Sequence, residues 1–250
     1  QRAPRLDALD VAVARSHCEH TGLIAMGYAR SVKDQALLDS GWAKNTSPER
    51  SASLKLIPKV AVFDWFEAER EGVTGRALLP DSAFRFIRTA LEHGPVLVQV
   101  AASGYETDLP CPQCGREAGD AGDCDHAWHD RRRRVRVGSD RIREDLARAF
   151  PAEAVAVSSS TAGVLQSVPA TPSIVVATSS AEPIAEGGYA GVLVAQAEAV
   201  AYSDALDAQM DAARRIMGAL ALARPGGMGM IVGSLQPTLE RSIVSREPGL

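Results

Sequence analysis

With 250 residues, 46% of them hydrophobic and 23% charged, the chain has the composition of an ordinary globular protein long enough to bury one or two cores, which excludes wholesale disorder. Its longest apolar runs fall far short of the roughly 20 residues a membrane helix needs, and the start Gln1-Arg-Ala-Pro-Arg-Leu-Asp7 lacks a signal peptide's apolar core, so no membrane association and a cytoplasmic location are expected. The net charge of −4 comes from residues 151–250, with 5 basic against 9 acidic side chains, so any contact with nucleic acid falls to a local patch.

In chain order, Asp10-Val-Ala-Val-Ala14 and Leu23-Ile-Ala-Met-Gly27 read as two short strands. Ser31 caps a helix that places Val32, Ala36 and Leu37 on one face, and Gly41 stops it. Residues 42–59 are rich in Ser, Lys, Asn, Thr and Pro and read as a linker, with a strand at 60–63 beyond. Asp81 or Ser82 caps the clearest helix of the first half, where Phe84, Ile87 and Leu91 share a face before Gly94-Pro95. The apolar strand Val96-Leu-Val-Gln-Val100 follows directly. Strand 134–137, helix 142–150 with Asp140 as its cap, and strand 154–157 repeat the alternation.

Two uncharged runs without alternation, 174–177 and 192–195, read as strands buried on both faces of a parallel sheet. Pro183 and Gly187-Gly188 lie between them, where open α/β sheets bind ligands. Ser203 or Asp204 caps a helix running to about Leu222, with Leu206, Met210, Ala213, Met217 and Leu220 on one side. Arg224-Pro-Gly-Gly ends it, residues 228–232 form a final strand, and 239–244 start another helix. The predicted fold is α/β, a mostly parallel sheet with helices on both faces.

Chemistry concentrates in three places. Cys111-Pro-Gln-Cys114 presents two thiolates from one turn, and Cys124 with His126 or His129 completes a candidate structural zinc site; the alternative is a degenerate knuckle of free thiols. Arg131, Arg132, Arg133, Arg134 and Arg136 are either a phosphate-contacting patch on DNA or the solvated edge of a strand. Glu186-Gly187-Gly188 is either a phosphate-cradling loop or a tight turn between strands. No Gly-x4-Gly-Lys-Ser/Thr or Gly-x-Gly-x-x-Gly motif occurs, and no nucleophile–base spacing stands out. His17, His20 and Cys18 read as surface or packing residues.

Together these pieces resemble the PriA family of primosomal replication-restart helicases in its shortened actinobacterial form. The resemblance is carried by Gly94-Pro-Val-Leu-Val-Gln-Val100 with Gly104-Tyr105, the cysteine knuckle, Val137-Gly-Ser-Asp-Arg-Ile-Arg-Glu-Asp-Leu-Ala-Arg-Ala-Phe-Pro151, and Ala181-Glu-Pro-Ile-Ala-Glu-Gly-Gly-Tyr189. It implies the end of a first RecA-like lobe at 1–45, a linker at 46–59, and a second RecA-like lobe at 60–250 with a zinc-binding insertion at 105–133. It further implies ATP-driven 3′-to-5′ DNA unwinding, zinc binding, and replication and primosome proteins as partners. Thr178, Gly187 and Gly188 would be what remains of the nucleotide site.

The departures from the family pattern decide the expectation. Glu186 stands where active members carry lysine, and Ala219 and Leu222 stand where they carry the two arginines that stabilise charge on the transferring phosphoryl group. Ala102-Ser103 replaces a pair of arginines, and three cysteines leave room for one zinc at most. The expected protein therefore binds forked or single-stranded DNA and replisome partners, with ATP bound but not hydrolysed or not bound at all. An active helicase lobe and a small-molecule α/β enzyme are the alternatives.

Overall fold

The computed structural model describes residues 7–46, 49–101, 139–201 and 208–245. Its first element is a helix, α1 (Ala8–Glu19), and not the strand that Asp10-Val-Ala-Val-Ala14 suggests. Local interactions decide this. The Asp7 carboxylate accepts the Leu9 amide at 2.8 Å, Arg15 and Glu19 pair one turn apart at 3.1 Å, and His20 closes the helix in the left-handed region. Alanine, the strongest helix former, separates the two valines of the short run. Residues 23–27, also expected as a strand, form no ladder with any described residue.

Helix α2 (Val32–Asp39) begins with a full capping box, in which Ser31 Oγ accepts the Asp34 amide at 3.0 Å and Asp34 accepts the Ser31 amide at 2.9 Å. A short helix, α3 (Arg50–Leu56), lies inside the stretch that reads as linker. Strand β1 (Lys59–Phe63) and helix α4 (Trp65–Glu71) follow, then a 3-10 turn at Thr74–Arg76 and helix α5 (Asp81–Leu91). Neither Asp81 nor Ser82 caps α5. Pro80 holds the cap position without a side-chain bond, and Glu71 of α4 accepts the Ser82 amide at 2.9 Å in its place.

Strand β2 (Val96–Val100) is followed, beyond the residues not described, by α6 (Ser139–Ala149), with Asp140 in its first turn, and by β3 (Val155–Ser158). Then come β4 (Ser167–Val168), β5 (Ile174–Thr178), β6 (Ile184–Ala185) and β7 (Tyr189–Val194). The chain continues through α7 (Ala197–Ala201), α8 (Ala208–Leu220), β8 (Ala223–Val232) and α9 (Pro237–Ser245). Arg224-Pro-Gly-Gly thus lies within β8, whereas strand 134–137 and the caps Ser203 and Asp204 lie outside the described residues.

Among the described residues the main sheet has six strands in the order β1-β8-β7-β2-β5-β3, every neighbouring pair parallel, and β4 pairs with β6 in a separate parallel ribbon. This is the α/β, RecA-like architecture that the resemblance implies. Successive side chains of each central strand enter opposite cores. Leu97, Val175, Val192 and Ile231 pack with Ala197 of α7, Ile216 of α8 and Leu239 of α9, while Val98, Val176, Leu193 and Met230 pack with Ile87 of α5 and Leu146 of α6. Both faces are covered, which is why the strand sequences are apolar without alternation. Each buried Val, Leu, Ile or Met among them stabilises the fold by about 1.5–3 kcal/mol. Because all six strands run the same way, their carboxyl ends share one edge.

Candidate functional site at the carboxyl edge of the sheet

Gln99 is the one polar residue of β2 and is only 2% exposed. It stands in register with Ala177 of β5 and Val194 of β7, near the carboxyl ends of all three strands. Its amide nitrogen donates to Glu182 Oε1 at 2.5 Å and more weakly to the Arg215 carbonyl at 3.4 Å. One side chain therefore ties the sheet centre to the turn after β5 and to α8. That turn closes through the Ala181 amide donating to the Thr178 carbonyl at 2.9 Å, with Ser180 at a φ of 72°, a region non-glycine residues seldom occupy. Ser158, at the end of β3, holds the turn from the other side by donating to the Ala181 carbonyl at 2.5 Å while accepting the Leu165 amide at 3.0 Å.

From this turn the chain crosses back to the amino edge. The buried Tyr189 hydroxyl donates to the Pro183 carbonyl at 3.0 Å and fixes the path midway; burial and then the Glu182 charge push its phenol pKa upward. Gly187 and Gly188 directly precede β7, at positive φ, so they lie at the amino edge. A Cβ on Gly188 would come within 2.9 Å of the Arg224 backbone, so glycine is needed there for β8 to pass. Thr178 ends β5 at the opposite edge, about 20 Å away at 3.3 Å per residue. The structure does not bring Thr178 together with Gly187 and Gly188.

Of the two positions where arginines would stand, Ala219 is 2% exposed in the core beneath α8, and Leu222 packs against the same core. Arg215 is exposed on α8, and Arg224 sits at the amino edge by Gly188. Cys111, Cys114, Cys124, His126, His129 and the five arginines at 131–134 and 136 lie outside the described residues. Both ends of the segment that carries them are placed, however. It leaves the sheet at Ala101, just past β2, and returns at Ser139, where α6 begins.

Sequence reading singled out neither Gln99, Glu182 and Ser158 nor the buried Glu198 of α7. Its carboxylate accepts its own amide and that of Ser234, Oε2 has no partner among the described residues, and a Cβ on Gly233 would collide with it. Burial raises its pKa above the ordinary 4.5 against the opposing pull of the two amides. Gln99 carried a legible signal as the lone polar residue in an apolar strand, whereas Glu198, in an Ala-Glu-Ala run, carried none.

No family model matches the chain. Among curated proteins, it is 36% identical over 261 aligned positions to the "Probable replication restart protein PriA" of Mycobacterium tuberculosis, a match covering 92% of this chain and 40% of that protein. The protein of the same name from Mycobacterium leprae is 32% identical over 280 positions, covering 99% of this chain and 43% of the relative. The chain thus spans well under half the length of the curated relatives it matches.

Proposed function

Since the chain belongs to the PriA family of replication restart proteins, we propose that it acts in replication restart as a second RecA-like lobe that holds DNA and replisome partners without hydrolysing ATP. The observation that carries this reading is the apolar setting of positions 219 and 222. An arginine at 219 would have to leave the core beneath α8 to reach a phosphoryl group, and losing one such arginine typically costs about 10³–10⁵ in rate. The separation of Thr178 from Gly187-Gly188 by the length of β7 supports it further, because a phosphate cradle needs its donors on one edge.

DNA contact is assigned to Arg131, Arg132, Arg133, Arg134 and Arg136, which need no hydrolysis to engage phosphates. Their segment is tethered at the carboxyl edge beside Gln99, Glu182 and the exposed Arg215. The test is steady-state ATPase turnover with and without forked DNA, alongside DNA affinity at increasing salt. No DNA-stimulated turnover, together with an affinity that falls as salt rises, is the expected result. Turnover that disappears in Arg215→Ala or Arg224→Ala would restore the helicase reading.

A further inference from the structure

We infer that β1 is a pairing edge for a second copy of this chain, the two β1 strands lying antiparallel about a twofold axis at Ala61 and joining the two sheets into one. Among the described residues β1 has a strand on one side alone, β8, so its other side is an open edge. The Phe63 carbonyl accepts the Gly233 amide at 3.0 Å, and Phe63 stands in register with Val232. In a parallel ladder such bonds come from alternate residues, so Lys59, Ala61 and Phe63 turn their backbone groups to β8, and Val60 and Val62 turn theirs outward. An open edge of this kind is a template for another strand.

The outward groups fit a copy in one register. With Ala61 opposite Ala61 of the copy, Val60 stands opposite the copy's Val62 and Val62 opposite its Val60. Each of these pairs exchanges both hydrogen bonds, so no outward N–H or C=O of either valine is left over. The central pair is then of the close, non-hydrogen-bonded kind, and Ala61 is both small and exposed. Pro58, which has no N–H, ends the ladder just before the strand.

Charge selects the same direction. Lys55 and Lys59 are exposed at the amino end of β1, and Asp64 and Glu67 follow its carboxyl end. Antiparallel pairing therefore sets lysines beside carboxylates at both ends, whereas a parallel copy would set like against like. The apolar flanks agree: Leu56, 59% exposed just before β1, meets the end of the copy that bears Phe66, 56% exposed just after it. Every contact is thereby made twice, as an isologous dimer requires. The inference uses neither DNA binding nor ATP chemistry, so it can fail while the proposed function stands.

Sedimentation velocity of the 250-residue chain tests it. Between about 1 and about 200 µM a monomer–dimer equilibrium is expected, at least ~10-fold weaker in Ala61→Glu, which sets carboxylates face to face at the axis. Ala61→Cys treated with oxidised glutathione should give a covalent dimer, with peptide mapping placing the bond between the two positions 61. Lys59→Cys should not, because its two copies lie four residues apart along the ladder, about 13 Å. A chain that stays monomeric at every concentration would overturn the inference and leave the edge to a strand of another protein. So would a dimer that Ala61→Glu leaves equally tight, or equal cross-linking at positions 59 and 61.

Discussion

Ser158 serves two partners through one hydroxyl, donating to the Ala181 carbonyl and accepting the Leu165 amide in a site closed to water. Ser158→Ala strands both, and a buried group left without its bond costs about 1–3 kcal/mol, so a loss of about 2 kcal/mol is expected in denaturant unfolding. A loss below about 0.5 kcal/mol would mean that the turn after β5 relaxes to find other partners. Glu198 acts in the opposite sense. Its folded-state pKa lies above the unfolded 4.5, so the folded state holds the proton more tightly, and stability falls as pH rises from 4.5 through the folded value. Glu198→Gln should therefore raise Tm at neutral pH and gain less over wild type as pH falls toward 4.5. An identical gain at pH 5 and pH 8 would show that the carboxylate is ionised in the fold throughout.

Helix α5 depends on a residue ten positions upstream of its first turn. Glu71 of α4 accepts the Ser82 amide and pairs with Arg85 at 3.1 Å, supplying from another element the cap that Pro80 has no side chain to give. Glu71→Ala should cost about 1–2 kcal/mol, as loss of an ordinary cap does, whereas Arg85→Ala should cost less than about 0.5 kcal/mol because that arginine is mostly in water. Equal losses in the two variants would assign the stabilisation to the ion pair. Such a cap is invisible to local spacing, which offered Asp81 and Ser82. The central strands β2, β5 and β7 were legible because burial on both faces writes itself as an unbroken apolar run. The run in α1 was not, since two valines among alanines satisfy either period, and the two-residue strands β4 and β6 are too short to show one.

At the scale of the whole molecule, alternation of strand and helix made the parallel sheet readable, but the fate of its polar residues was not, because edges are set by topology. Thr178 and Gly187 are close in sequence and lie at opposite edges; Gln99 and Glu182 are far apart in sequence and touch. The segment between Ala101 and Ser139 is where the zinc proposal stands. Elemental analysis of purified protein is expected to find close to one zinc per chain, and Cys114→Ser to lose it, with Cys111, Cys124 and His126 or His129 as the remaining ligands. Metal retained in that variant would reject this ligand set. A last consequence follows from the strand order. Lys59 of β1 pairs in register with Met228 of β8, and among the described residues β8 is the only strand of the sheet beside β1. During synthesis β1 therefore waits for β8 while β2, β3, β5 and β7 are made in between, so this edge of the sheet closes after its centre and the unpaired apolar strand must be kept from aggregating until then.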